Sequence, residues 1–364
     1  MSLSSSISPV KVLIADDSAF MRAALSRMVA SDDSLCVVGT AETGLETLAK
    51  IGELHPAVVT LDIDMPGLSG LETLKRIMSE SPLPVIIVSS TARRGAEDTL
   101  EALELGAFDC IAKQLNYNYL DVLKVQDELV SKIKAAAALR LPAPGLSSEL
   151  ARPLLHPVPA QLAPPTTVAV PSIIAIGSST GGPKALHDVL STLPVDLPAG
   201  ILIVQHMPIG FIGPWAKRLN NLCKLKVHEA EDGDLITAGH IYLAPTGKHL
   251  TVRRCSSSEV ALHLSLLPSG LPHIPSVDVM MSSVAEVFGS SAMGMILTGM
   301  GDDGALGMQA IFREGGLTLG QDEATCAVYG MPRACAEIGV LSQVAPLPDI
   351  PRHILAALRY QKPH

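Results

Sequence analysis

Aromatic residues are scarce: Phe, Trp and Tyr make up 3% of the 364 residues. That leaves few platforms on which the bases of a single-stranded nucleic acid could stack. Positive charge is also thin. Lys and Arg number 27 against 36 Asp and Glu, a net charge of −9, whereas a general phosphate-backbone binder needs clustered basic residues. No nucleic-acid partner is expected. No apolar run approaches the roughly 18 residues that span a bilayer. The first residues, MSLSSSISPVKVLIADD, lack a basic head followed by an apolar signal core. The expectation is a soluble cytoplasmic protein without membrane insertion. The six cysteines (Cys36, Cys110, Cys223, Cys255, Cys326 and Cys335) contain no C-x-x-C pair. Reduced, mostly buried thiols are therefore expected, not a disulfide frame or a zinc site.

What is present is ample core material, 48% hydrophobic against 17% charged, in a chain long enough for two domains. From Lys11 to about Lys134, short Val- and Ile-rich runs (VLIAD, LCVVG, AVVTLD, PVIIVS, FDCIA) alternate with amphipathic stretches such as Leu45–Leu54 and Leu71–Ser79. This alternation predicts a five-stranded parallel sheet with helices on both faces. Leu141–Pro171 then carries eight prolines and little periodicity, which reads as a semi-extended linker. After Pro171 the alternation resumes with SIIAIG, ILIVQH, MGMILTG and GLTLG. Between Val227 and Leu267 it gives way to short alternating strands and turns, an antiparallel or mixed excursion. The predicted boundaries are 9–134 for the first domain, 135–170 for the linker and 171–360 for the second domain.

Several residues of the first domain fall at strand ends. Asp16 and Asp17 follow the first strand, Asp62 ends the third, Ser89 ends the fourth and Lys113 follows the fifth. Parallel sheets bind ligands along the edge formed by their strand C-termini. Three carboxylates gathered there repel one another without a cation, and Mg²⁺, a hard ion that takes oxygen ligands, suits them. A lone carboxylate is more often a helix cap than a ligand; the ordered set is harder to read that way. A hydroxyl and an ammonium on the same edge complete a phosphoryl site. Residues 10–130 resemble a response-regulator receiver domain, through IADDS, LDIDMPGLSGLE, IIVSS and ALELGAFDCIAK. The resemblance implies that Asp62 accepts a phosphoryl group from a histidine kinase. It also implies that Asp16 and Asp17 help hold Mg²⁺, and that Ser89 and Lys113 sense the phosphate. Receivers usually carry Lys-Pro after the fifth strand, often with a cis bond. Here Gln114 follows Lys113, and a cis bond before Gln costs about 3 kcal/mol.

In the second domain, Gly177-Ser178-Ser179-Thr180-Gly181 fits G-x-S-x-G between a strand and a helix. Such a turn exposes its central hydroxyl at a helix N-terminus that favours negative charge. Serine needs a base to attack. The next strand ends IVQHMP, offering His206, and a later one ends ILTGMGDDG, offering Asp302 and Asp303. The roles that follow are attack by Ser179, proton transfer by His206 and orientation of the imidazole by an aspartate. A Gly-rich turn is about as often a nucleotide loop, but no Lys-Ser/Thr pair follows and no acid ends the next strand. The order Ser…His…Asp differs from the usual α/β-hydrolase order. His187, His228, His240, His249 and His273 read as surface or structural residues.

Residues 172–345 resemble the catalytic domain of the chemotaxis protein-glutamate methylesterases. The segments that carry this are IAIGSSTGG, QHMPIGF, EDGD, YLAPTGKH, PSVDVM, ILTGMGDDGALGM, QDEAT and VYGMPRA. The resemblance assigns nucleophile, base and orienting acid to Ser179, His206 and Asp303. That family commonly has Asn at the position of Asp302 and Ala at that of Ser178. The oxyanion donors would be the backbone N–H groups of Thr180 and Met300, and Pro272–Met280 would border the cleft. The implied fold is two doubly wound α/β parallel-sheet domains, a five-stranded receiver and a Rossmann-like hydrolase domain with a mixed-strand excursion. The implied activity is removal of methyl groups from glutamate γ-methyl esters of chemoreceptors, with deamidation of certain receptor glutamines. No cofactor is expected for the esterase reaction. Phosphorylation would relieve a receiver packed over the cleft. The alternative is a receiver-controlled binding module without catalysis.

Overall fold

The computed structural model describes residues 8–90, 93–113, 119–139 and 169–361. Gln114 and most of the proline-rich segment lie outside these residues. The chain divides into two compact units, Met1–Leu150 and Ala151–His364.

The first unit alternates strand and helix: β1 (Val10–Ala15), α1 (Ala19–Val29), β2 (Leu35–Ala41), α2 (Gly44–Leu54) and β3 (Val58–Asp62). It continues through α3 (Gly70–Glu80), β4 (Val85–Ser90), α4 (Arg93–Glu104), β5 (Asp109–Lys113) and α5 (Tyr119–Ala138). The five strands form one parallel sheet in the order β2-β1-β3-β4-β5. The apolar runs become strands because helices cover both faces; every residue of β3 is buried. Strand order reverses between β1 and β3, the crevice where such sheets take ligands. Asp16 and Asp62 sit at its mouth. The last helix runs on to Ala138, past the expected start of the linker at 135.

The second unit contains β6 (Ile173–Ser178), α6 (Gly182–Leu190), β7 (Gly200–Gln205), α7 (Ile212–Leu222), β8 (Lys226–Glu229), β9 (His240–Leu243), β10 (His249–Arg254) and β11 (Val260–Ser265). It ends with α8 (Val277–Phe288), β12 (Ala292–Ile296), α9 (Ala305–Arg313), β13 (Leu317–Gln321), α10 (Met331–Glu337), β14 (Gln343–Ala345) and α11 (Ile350–Ala357). Seven strands form a sheet in the order β14-β13-β12-β6-β7-β9-β8, and each given pairing is parallel. The excursion is smaller than its alternation suggests. β8 and β9 extend the main sheet in parallel, and only β10 and β11 pair antiparallel, as a separate ribbon. Short strands of alternating polarity fit a sheet edge, where one face stays wet.

The core lies where α8 packs on the sheet. Met280, Met281 and Val284 meet Ala175, Ala292 and Ile296 in one buried cluster, and each fully buried aliphatic side chain contributes about 1.5–3 kcal/mol. This packing anchors the start of α8 beside the C-terminal ends of β6 and β12. The strand order turns back between those two strands. All six cysteines are free thiols, but Cys36 and Cys255 are exposed and only Cys110 and Cys335 fully buried. No helix among the described residues is long and apolar enough to cross a membrane.

Candidate active site and acidic pocket

In the first unit, Asp16, Asp17 and Asp62 each present a carboxylate oxygen within 4.8 Å of the others. Asp16 and Asp62 are buried and Asp17 is exposed. Lys113 Nζ pairs with Asp16 at 2.8 Å and with Asp62 at 2.6 Å. Burial pushes the Asp62 carboxyl up to about 6; the Lys113 hydrogen bond opposes this and neighbouring Asp16 adds to it. Burial works against the Lys113 charge, but the two carboxylates outweigh it and raise its pKa. The donor set, three carboxylates whose hard oxygens lie within 4.8 Å of one another, fits Mg²⁺. Arg22 holds the rim by donating to the carbonyls of Asp16 (2.8 Å) and Asp17 (3.0 Å) and pairing with Glu42. Ser89 is buried near the end of β4, its hydroxyl donating to the Gly95 carbonyl in α4 at 3.2 Å.

In the second unit, β12, β6 and β7 are consecutive neighbours in the sheet. Asp303, Ser179 and His206 therefore leave from adjacent strand ends. The β6–β7 register pairs Ser178 with Gln205, and the His206 N–H donates to the Ser178 carbonyl at 3.1 Å. Ser179 and His206 are thus the next matched pair. His206 Nε2 meets Asp303 Oδ2 at 2.9 Å. Asp302, its neighbour in the glycine-rich loop, is exposed.

Asp303 is held at the start of α8. It accepts hydrogen bonds from the Val277 N–H (2.8 Å), the Asp278 N–H (3.0 Å) and the hydroxyl of Ser276, the N-cap residue (2.8 Å). Helix N-termini offer unpaired N–H groups and a positive dipole end. Burial alone would push this carboxyl up. The His206 bond and charge and the α8 N–H groups outweigh burial, and its pKa falls to about 2. The clasp is reciprocal: Asp278 Oδ1 accepts from the N–H groups of Gly304 (2.9 Å) and Gly307 (2.7 Å), capping α9. Burial raises the Asp278 pKa, against the pull of those N–H groups. Two helix starts thus exchange carboxylates.

With Asp303 on Nε2, the free imidazole nitrogen is Nδ1, which is buried without a hydrogen-bond partner among the described residues. The Ser179 hydroxyl likewise makes no hydrogen bond there. The structure joins His206 to Asp303 but leaves the serine–imidazole bond open. Such bonds are often long before substrate arrives and close only in the complex. His273 is exposed, in keeping with its reading as a surface residue, and its ring stacks on His206 with centroids 4.1 Å apart and planes 15° apart.

The turn itself is tightly held. Gly181 has φ +76°, a left-handed conformation that favours glycine, and a Cβ there would meet the Ala327 methyl at 2.6 Å. The Thr298 hydroxyl donates to the Thr180 carbonyl at 2.9 Å and accepts the Val328 N–H at 2.9 Å. The Gly299 carbonyl accepts from Gly330 (3.0 Å) and Met331 (2.9 Å) at the start of α10. Because a trans peptide sets C=O and N–H in opposite directions, this anchoring aims the Met300 N–H away from α10. Ser276, Asp278, Gln205 and Thr298 were missing from the candidate residues of the sequence. Only the PSVDVM segment hinted at the first two.

Residues 174–354 match the CheB methylesterase family, and residues 12–123 match the response regulator receiver domain. A protein-glutamate methylesterase/protein-glutamine glutaminase of Halalkalibacterium halodurans is 47% identical over 341 residues, 93% of this chain and 96% of its own length. One from Pyrococcus horikoshii is 41% identical over 351 residues, 96% of this chain and 94% of its own. The crystal structure of the Thermotoga maritima CheB methylesterase catalytic domain, 37% identical, covers 52% of this chain and 99% of its own, with a TM-score of 0.50. Relatives this similar over nearly the whole length place the chain in the family of protein-glutamate methylesterases/protein-glutamine glutaminases, a receiver domain followed by a CheB methylesterase domain.

Proposed function

We propose that the protein is a phosphorylation-controlled hydrolase acting on glutamate γ-methyl esters of chemoreceptors, and on certain receptor glutamines. The observation that carries this reading is the 2.9 Å pairing of His206 with an Asp303 carboxylate clasped by α8, one strand from Ser179. Asp303 fixes the proton on Nε2, leaving the Nδ1 lone pair as the base. Ser179 Oγ attacks the γ-carbonyl carbon as Nδ1 takes its proton. The oxyanion meets the Thr180 and Met300 N–H groups, each worth about 10²–10³ in rate. Collapse releases methanol from an ester, or ammonia from a glutamine, with the proton returned from His206. Water then attacks the acyl-serine by the same route, restoring Ser179 and leaving a carboxylate.

In the receiver, Asp62 would accept the phosphoryl group from a histidine kinase. Asp16, Asp17 and Asp62 would hold Mg²⁺, which neutralises charge on the transferring phosphoryl group. Lys113 and Ser89 would then exchange their present partners for phosphoryl oxygens, a charge-driven rearrangement at the β4–α4 and β5 ends.

The test is methanol release from methylated receptor membranes. A small phosphodonor with Mg²⁺ is expected to raise the rate, and Asp62→Asn or chelation of the metal to remove that increase while leaving the basal rate. A phosphodonor response that survives Asp62→Asn would rule out Asp62 as the acceptor. Deleting residues 1–145 is expected to raise the esterase rate of the remaining fragment; an unchanged or lower rate would argue against restraint by the receiver.

A further inference from the structure

Gln205 ends β7 and is almost fully buried. Its Nε2 donates to the Ser179 carbonyl at 2.8 Å and to the His206 carbonyl at 2.9 Å. Carbonyls only accept, so the NH₂ end of the amide must face them. Its Oε1 then faces Ser178, whose hydroxyl donates to it at 2.7 Å. A buried amide saves its desolvation cost only when such partners are present. Here both of its donor bonds fall on the residues assigned as nucleophile and base. Gly182 makes room for it: a Cβ there would come within 2.0 Å of Oε1.

The geometry has a consequence for the oxyanion site. The Ser179–Thr180 peptide is planar and trans, so holding the Ser179 carbonyl sets the direction of the Thr180 N–H. That carbonyl is held from two sides, by the Gly182 N–H at 2.8 Å and by Gln205. We propose that Gln205 is a positioning residue. It aims the Thr180 N–H at the developing oxyanion and ties the serine turn to the strand end that carries the base, with Ser178 fixing the orientation of its amide. This rests on Ser179 and His206 being nucleophile and base.

The test uses the full-length protein and methylated receptor membranes, with active sites titrated by exhaustive fluorophosphonate labelling. Gln205→Met keeps the length and removes the donor. Its kcat per titrated site is expected to fall about 10- to 100-fold with KM within about twofold, the scale of a misplaced oxyanion donor. A kcat per site within twofold of native would overturn the proposal, because a purely structural role lowers the number of active sites and not the rate of each. Should that variant not fold, Gln205→Glu carries the test. Its carboxylate accepts from Ser178 but can donate to neither carbonyl until it is protonated, and then to only one of them. Its rate relative to the native enzyme is expected to climb as pH falls; a ratio independent of pH would overturn the proposal. Ser179→Ala serves as control. If it stays active, the triad reading fails and the proposal with it. If it is inactive while Gln205→Met is normal, only the positioning role fails.

Discussion

Ser179→Ala is expected to reduce methanol release by roughly 10⁴- to 10⁶-fold, to the residual rate that binding and the oxyanion donors supply alone. The alanine removes the only atom of residue 179 able to bond to the acyl carbon. It should leave the turn intact, because the turn is held by backbone and neighbours: Ser179 N–H to the Thr298 carbonyl at 3.1 Å and Gln205 to the Ser179 carbonyl at 2.8 Å. The Ser179 hydroxyl makes no hydrogen bond among the described residues, so its loss leaves no buried group unpaired. Melting temperature should therefore stay near native while activity disappears. Activity within tenfold of native would point to a different nucleophile.

Asp303→Asn is expected to lower kcat by about 10⁴-fold while KM changes little. Asparagine can satisfy only part of what the carboxylate does. Asp303 accepts four hydrogen bonds, from Ser276 Oγ, two α8 N–H groups and His206 Nε2. Val277 and His206 both bond to Oδ2. If the NH₂ of asparagine faces them, it opposes the Val277 N–H and forces the imidazole proton onto Nδ1, where the lone pair is needed. The same substitution should change the response to acid. The native carboxyl is depressed from 3.8 to about 2. Its contribution to stability is thus fully present above pH 4 and lost as pH falls towards 2. Thermal scans between pH 5 and 2 should show a shallower acid decline for Asp303→Asn than for the native protein, starting from a lower plateau. An identical slope would mean that Asp303 is not the group being protonated.

The strands were legible because a sheet covered on both faces needs unbroken apolar runs, and VVTLD, IIAIG and ILIVQ are such runs. Asp16, Asp62, Ser179 and His206 were legible for a related reason: parallel topology sends every strand end to one edge. Spacing could not decide between Asp302 and Asp303. That choice is made by the start of α8, 25 and 26 residues earlier, which offers its N–H groups to one of the two. Ser276 and Asp278 were illegible as site residues for the same reason, since a helix cap looks alike in sequence whatever carboxylate it holds. His273 was read as a surface or structural residue and is exposed, but nothing in LPHIPS signals that its ring will lie on His206. The parallel pairing of β8 and β9 was hidden by their short, alternating pattern, which edge strands share with hairpins.

The assignment of Ser179, His206 and Asp303 can be tested most directly by covalent capture. The native protein would be treated with a fluorophosphonate, digested and mapped by mass spectrometry, with methanol release followed in parallel. The expected result is a single adduct on Ser179 whose formation parallels loss of activity and slows at least a hundredfold in His206→Ala. An adduct elsewhere, or full inactivation with Ser179 unmodified, would contradict it.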